Sequence, residues 1–186
     1  MLEATVELLA ERGYAGASTR LAAERAGVSL GALQHHFRTK AELSVEALRH
    51  ASRRLAREFV AAAPADGDTI ERFAAILDRL FVVFRGATFA AAVEIHLAAR
   101  TDPDLRQAAA ELNRDIEDLI RSSARELLPE MIYRPEFPAL LQISLSAVRG
   151  LALTSMAPLR DRGEEWQQVR SQLLLLAAGI SLEDPV

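Results

Sequence analysis

Apolar side chains recur every three or four positions along most of the chain, which is the spacing of a helix that buries one face. Near the N-terminus Leu2, Val6 and Leu9 follow this spacing, and Gly13 ends the predicted helix. Longer stripes follow in the middle of the chain, formed by Ile70, Phe73, Leu77, Phe81 and Phe84, and then by Leu105, Ala109, Leu112, Ile116 and Leu119. Strict alternation, the pattern of a half-buried strand, is not visible, so the sequence predicts an all-α fold.

Residues 18–40, STRLAAERAGVSLGALQHHFRTK, predict two short helices joined by a tight turn. Ala23 is small enough for the two helices to cross closely. Gly27 follows the first of them, at a position that commonly adopts a positive φ, which glycine does without steric penalty. Val28 is expected to point back into the crossing. This arrangement is typical of a helix-turn-helix, which places its second helix in the major groove of DNA.

The second helix of this unit has one apolar and one polar side. Ser29 is a good N-cap, and Leu33 and Phe37 are expected to share a buried face. The outward positions are Leu30, Gly31, Gln34 and His35, with His36 at the edge. Thr39 and Glu42 then fit a capping box that starts a long helix, predicted to run to about residue 62.

The rest of the chain predicts five more helices separated by caps and prolines. Asp68 with Glu71 and Asp102 with Pro103 mark two starts, Arg85-Gly86 marks a break, and Pro129, Pro135 and Pro138 mark a loop. The last two helices, at about 139–156 and 164–179, are apolar on most sides. Such helices need burial on several sides. A second copy of the chain can supply it in a two-fold four-helix interface; the alternative is a central place in the monomer core.

The N-terminal residues resemble the tetracycline-repressor (TetR) family of bacterial transcription regulators. The resemblance covers about residues 2–48 and includes ELLAERGYAGAST, LAAERAGVSLGALQHHF and TKAEL. It implies an all-helical homodimer of nine or so helices. A three-helix helix-turn-helix unit at residues 1–45 would bind DNA, and residues 46–186 would bind an effector and dimerise through the last two helices.

The resemblance also implies roles for single residues. Thr19 and Arg20 open the first helix of the motif, where family members contact phosphates or base edges. Leu30, Gly31 and Ala32 open the recognition helix, Gln34, His35 and His36 occupy its exposed middle and end, and Lys40 matches a common phosphate-contacting lysine. Gln34 replaces a usual tyrosine and can read adenine, and Leu30 replaces a polar or basic residue and would meet a thymine methyl group.

Composition limits the other classes of function. The chain of 186 residues has no cysteine, which excludes disulfides, thiolate metal sites and cysteine catalysis. No apolar run approaches the ~18 residues that a membrane span needs, and no signal peptide precedes the first helix, so we expect a cytoplasmic protein without a membrane partner. The net charge is −4, yet residues 1–58 hold nine Lys/Arg against seven Asp/Glu. Arg20, Arg38 and Lys40 lie around the reading helix, and Arg49, Arg53, Arg54 and Arg57 extend along the next one, as phosphate contacts or simply as its solvated face.

The effector site is indicated only by side-chain type. Its candidates combine apolar walls with polar groups that could orient a ligand: Phe81, Phe84, Phe89, Val93, His96, Arg100, Asn113 and Arg149. The mostly aliphatic and aromatic set favours a small, largely apolar effector. His96 could equally be a core histidine bonded to a carbonyl, and Arg149 could pair with an acid across a dimer. Spacings of His and Glu suit no metal site, and no cofactor is expected.

Two other functions remain open. A regulator of the same fold could bind DNA without an effector, constitutively or as an activator. An enzyme built on the helical body is the third alternative, but no phosphate-binding glycine loop, nucleophile elbow or catalytic constellation is present in the sequence. The leading hypothesis is a repressor that binds a palindromic operator as a homodimer and is released by its effector.

Overall fold

The computed structural model describes residues 1–64, 66–155 and 163–182, without the side chains of 181 and 182. Within these ranges the chain is helical and contains no strand, as the apolar spacing predicts. Nine helices are present there: α1 Leu2–Gly16, α2 Thr19–Arg25, α3 Leu30–His36, α4 Lys40–Ala61, α5 Thr69–Val83, α6 Ala87–Ala99, α7 Pro103–Leu127, α8 Phe137–Ser155 and α9 Gly163–Leu182. Ala65 and Met156, which the sequence placed in a turn and at a helix end, lie outside the described residues.

The helices form two compact units. Unit 1 comprises Met1–Arg57 and Gly86–Ile120, and its core contains Leu8, Leu9, Leu33, Leu43, Leu48, Ile95, Leu105 and Leu112. In this unit α6 packs along α1. The core of unit 1 therefore joins the helix-turn-helix to later helices of the chain. The sequence instead predicts a boundary after residue 45 between a DNA-binding part and an effector-binding part, and this functional boundary stays a prediction.

Unit 2 comprises Glu58–Arg85 and the described residues from Arg121 onward. Here α9 packs against α5 and α8 around a core of Phe73, Leu77, Leu128, Met131, Phe137, Val148, Trp166 and Leu173. The predicted start of α5 is confirmed: Asp68 accepts a hydrogen bond from the Glu71 N–H at 2.8 Å, and the Glu71 carboxylate accepts one from the Asp68 N–H at 3.0 Å. Pro138 lies in the first turn of α8 rather than in the preceding loop, a position where a missing N–H costs nothing.

Helix α8 corrects the expectation that no segment is long and apolar enough to span a membrane. Its 19 residues meet that test by length and composition, with a mean hydropathy of 1.3, and α5 and α6 meet it if they are counted together as one broken span. One third of the α8 window is buried, and Phe137, Leu140 and Val148 pack in the core of unit 2. Core helices meet the same test, so the length and composition of α8 do not by themselves indicate a membrane span.

Candidate DNA-binding surface

Side-chain caps fix the helix-turn-helix at both helix starts. The Ser18 hydroxyl accepts a hydrogen bond from the Leu21 N–H at 3.2 Å, and the Ser29 hydroxyl accepts one from the Ala32 N–H at 3.1 Å. Gly27 has a φ of +66°, as its place after α2 predicts. These bonds satisfy donors that a short helix would otherwise leave open, so the orientation of α3 is held locally.

The crossing of α2 and α3 is closed by small and apolar residues. Ala22 and Ala23 are 1% and 2% exposed, and Leu33 of α3 is fully buried. The expectation for Val28 was wrong: its side chain is exposed, while its N–H donates to the Ala23 carbonyl at 3.0 Å. Phe37 is only half-buried, since it ends α3 in an extended conformation.

The opposite side of α3 is open to solvent. Gly31, Ala32, Gln34, His35 and His36 are exposed, and Leu30 is half-buried. A Cβ atom at Gly31 would meet no atom of the described chain within 4 Å. The rings of His35 and His36 meet edge to face with their centres 5.5 Å apart. The residues for which the sequence predicted base contacts thus lie together on the solvent-exposed side of α3.

Two further candidates lie at the start of α2, where Thr19 is half-buried and Arg20 is exposed. Arg25, at the other end of the same helix, is engaged instead with Glu11, with 2.7 Å between Nη2 and Oε2. This exposed pair lowers the pKa of Glu11 through the hydrogen bond from Arg25. The structure thus holds Arg25 in an ion pair, while Arg20, which the sequence assigned to DNA contact, is exposed.

Lys40 differs from the other candidates because its ammonium group is held in place. Its Nζ atom lies 4.1 Å from the centre of the Tyr14 ring and donates to the Ala15 carbonyl at 3.5 Å. Burial lowers the pKa of Lys40, and the nearby Asp102 carboxylate acts in the opposite direction. The helix start itself follows the sequence only in part: Thr39 accepts from the Glu42 N–H, but the Glu42 carboxylate accepts from the Arg38 N–H instead of that of Thr39.

The arginines along α4 are engaged with acids at two positions. Arg49 binds Glu46 at 2.5 Å and Asp115 at 2.8 Å, and Arg54 binds Glu3. The hydrogen bond that Arg49 donates to Asp115 is the main reason that the pKa of Arg49 is raised. These pairs favour the second interpretation of the arginine run, a solvated helix face.

The predicted effector residues fall in both units. In unit 1, Phe89 and Val93 are half-buried and Arg100 is exposed. The His96 Nε2 atom lies 3.1 Å from the Asn113 side-chain nitrogen. The two side chains are therefore within hydrogen-bond distance of each other. The side-chain partner of this histidine is an amide, which the sequence did not indicate.

In unit 2, Phe81 is buried and stacks on Trp166, with ring centres 4.7 Å apart and planes 2° from parallel. The Arg149 guanidinium lies 5.4 Å from the centre of the Phe84 ring. Asp78 accepts hydrogen bonds from the Trp166 indole N–H at 3.1 Å and from Arg170 at 2.8 Å. Sequence analysis missed Trp166, although it is the one tryptophan in the sequence and could have been singled out for that reason.

A buried hydroxyl in unit 2 also escaped sequence analysis. Ser144 is 1% exposed, and its Oγ atom makes no hydrogen bond within the described part of the chain. The only signal for it is a serine inside an apolar helix. The described residues contain no group of three or more His, Asp or Glu side chains arranged to hold a metal ion.

Comparison with known proteins places these features in a family. The family model described as bacterial regulatory proteins, tetR family, matches residues 1–47. The uncharacterized HTH-type transcriptional regulator Rv2912c of Mycobacterium tuberculosis is 30% identical over 184 residues, which cover 97% of this chain and 92% of that protein.

Solved structures share the fold over the same length. A transcriptional regulator from Rhodococcus sp. RHA1 superposes with a TM-score of 0.76 at 28% identity, covering 98% of this chain and 97% of that one. The regulator FadR from Bacillus subtilis, solved in complex with stearoyl-CoA, has a TM-score of 0.69 at 16% identity and covers 93% of this chain and 95% of its own. Since a full-length relative and the helix-turn-helix match agree, this chain belongs to the tetR family of DNA-binding bacterial transcriptional regulators.

Proposed function

We propose that this protein is a cytoplasmic repressor that binds a palindromic operator as a homodimer and is released by a small, largely apolar effector. The observation that carries the proposal is the two-sided structure of α3. Its buried residue Leu33 is fixed in the core of unit 1, while Gln34 and His35 face solvent. A helix that is locked on one side and polar on the other suits insertion into the major groove.

The proposed DNA contacts divide into base reading and phosphate binding. Gln34 can donate to and accept from one adenine at N6 and N7. Leu30 offers apolar contact to a thymine methyl group, and the open space around Gly31 and Ala32 lets the helix approach the bases closely. His35 and His36, which follow Gln34 in α3, are exposed as well.

Phosphate binding is assigned to the starts of α2 and α4. Thr19 and Arg20 lie in the first turn of α2, and Lys40 is the first residue of α4. The positive end of a helix dipole favours an anion at such positions. Each neutralised phosphate releases counterions, so affinity should fall with salt at a slope near −0.9 per contact.

Exposed apolar side chains on the last two helices support the proposed homodimer. Ile143 and Leu153 of α8 are 50% and 46% exposed, and Leu175 and Leu176 of α9 are 66% and 50% exposed. Large apolar patches on a soluble chain commonly mark an interface. For such a dimer to read a palindrome, its two recognition helices must lie about 34–36 Å apart, the spacing of successive major grooves.

The proposed effector site combines the residues named from the sequence with two that the structure adds. In unit 2, Phe81, Phe84 and Trp166 offer aromatic walls, and Arg149 and Ser144 offer polar groups. The related fold of Bacillus subtilis FadR, solved with stearoyl-CoA, supports an apolar ligand with a polar end. Phe89, Val93, His96, Arg100 and Asn113 of unit 1 remain further candidates. An effector would act only through its different affinities for the DNA-binding and released states.

Selection of bound sequences from random DNA duplexes tests the proposal. The purified protein should enrich a two-fold symmetric site whose half-sites are centred about one helical turn, 10–10.5 base pairs, apart or a multiple of that distance. A variant with Leu175→Glu and Leu176→Glu should sediment as a monomer and lose this enrichment, while Tyr133→Glu, at an exposed position outside α8 and α9, should keep both. Enrichment of a single asymmetric half-site, or none at low salt, would refute the dimeric operator complex.

A further inference from the structure

Helix α1 is broken at Gly13, and a glutamate of α6 binds the backbone next to the break. Gly13 has a φ of +68° and a ψ of 170°, a conformation open almost only to glycine. Directly after it, the Tyr14 N–H donates to the Glu94 Oε2 atom of α6 at 3.1 Å. A Cβ atom at position 13 would lie 2.7 Å from that same oxygen. The absence of a side chain at Gly13 therefore allows both the backbone break and the close approach of the Glu94 carboxylate.

The residue held by this bond in turn supports Lys40. The Tyr14 ring lies 4.1 Å from the Lys40 Nζ atom, and the next carbonyl, of Ala15, accepts a hydrogen bond from that atom. Cation–π contacts of this kind fix the direction of a flexible ammonium group. The side chain of Lys40 is half-buried, so its ammonium is held against the chain rather than extended freely into water.

We propose that Glu94 is a positioning residue for Lys40: it fixes the Tyr14 backbone, which sets the ring that directs the Lys40 ammonium toward a DNA phosphate. This inference rests on the proposed function, because it takes Lys40 as a phosphate contact. It adds a residue of α6, outside the helix-turn-helix, to those that determine DNA affinity.

The direction in which DNA affinity changes on removal of the Glu94 carboxylate distinguishes a positioning role from a simple electrostatic effect. A carboxylate near a polyanion repels it, so the removal of an acid from unit 1 should by itself strengthen DNA binding. Positioning requires the opposite: loss of the Glu94 carboxylate should weaken binding, since Lys40 is no longer directed. A purely structural tie between α1 and α6 would lower stability and leave the salt dependence of DNA binding unchanged.

The experiment measures affinity for the selected operator across a salt series with the full-length protein, and thermal unfolding by circular dichroism for each variant. Lys40→Ala should weaken binding and flatten the salt slope by about one. Glu94→Ala should weaken it about three- to tenfold and flatten the slope as well, as expected for the loss of one directed hydrogen bond. Glu94→Gln keeps an oxygen acceptor and should bind nearly as the parent does. Glu111→Ala, an exposed acid of α7 in the same unit, should bind as tightly as the parent or more tightly.

A double variant decides whether Glu94 acts through Lys40. If it does, Glu94→Ala combined with Lys40→Ala should bind no more weakly than Lys40→Ala alone. Independent losses that add, or a Glu94→Ala protein that is folded and keeps the parent affinity and slope, overturn the inference. If Glu94→Ala does not fold, Tyr14→Leu removes the ring and should reproduce the Lys40→Ala slope; an unchanged slope again overturns it. A parent-like slope for Lys40→Ala would instead refute the phosphate role of Lys40 in the proposed function.

Discussion

Gly13→Ala tests the fit between the break in α1 and the carboxylate of Glu94. The substitution forces a side chain into a backbone region with φ of +68° and ψ of 170°, which costs about 1–3 kcal/mol. The new Cβ would also lie 2.7 Å from the Glu94 Oε2 atom. That oxygen must move, and the hydrogen bond from the Tyr14 N–H, worth about 0.5–1.5 kcal/mol, is lost. The free energy of unfolding should therefore fall by about 1.5–4.5 kcal/mol.

Gly27→Ala is the matched control. Gly27 also has a positive φ, +66°, but a Cβ atom there would meet no atom within 4 Å in the described chain. Only the backbone strain of the left-handed region remains, about 1–2 kcal/mol. Urea unfolding followed by circular dichroism at 222 nm gives both free energies, and Gly13→Ala should cost more than Gly27→Ala.

The Glu94→Ala background gives the decisive comparison. Without the carboxylate the clash is absent, so Gly13→Ala should cost less there than in the parent, by about the hydrogen-bond contribution. Equal costs of Gly13→Ala in the two backgrounds would refute the reasoning.

Three further predictions concern DNA reading and the interior of unit 2. Gln34→Ala should reduce discrimination at one operator position by about 1–3 kcal/mol, measured with single-base operator variants; an equal loss on all sequences would mean a phosphate contact instead. Arg20→Ala should weaken binding to any duplex and flatten the salt slope by about one, and a parent slope would exclude that role. Ser144→Ala should raise the free energy of unfolding by about 1 kcal/mol, because it removes a buried hydroxyl without a hydrogen-bond partner in the described chain; a loss of stability in urea unfolding would contradict this.

Features of the fold that depend on neighbours in sequence could be predicted. The caps at Ser29 and Asp68, the positive φ of Gly27 and the break at Gly13 follow from the local chemistry of helix ends. The exposed face of α3 follows from its position within the helix period. For these elements the residues that determine the conformation are within four positions of it.

Features that depend on distant residues could not be predicted. Nothing next to Tyr14 in the sequence indicates that Glu94 will bind its N–H, 80 positions away. The same applies to Asp115, which engages Arg49. Periodicity shows which face of a helix is buried but not which helix covers it.

The effector candidates show the same limit. Side-chain type alone selected Phe81 of α5 and Arg149 of α8. It did not select Trp166 of α9, which stacks on Phe81, or the buried Ser144 of α8. Apolar residues that line a ligand site and those that fill a core have the same composition, so a sequence pattern cannot separate them.

The stack between Phe81 and Trp166 provides an intrinsic optical probe. The chain contains one tryptophan, so all indole fluorescence arises from a ring that is 3% exposed, donates to Asp78 and lies face to face with Phe81. A compound that displaces the phenyl ring or reaches the indole would alter emission intensity or wavelength without any label. Compound libraries can therefore be screened against the unmodified protein, before its operator is known.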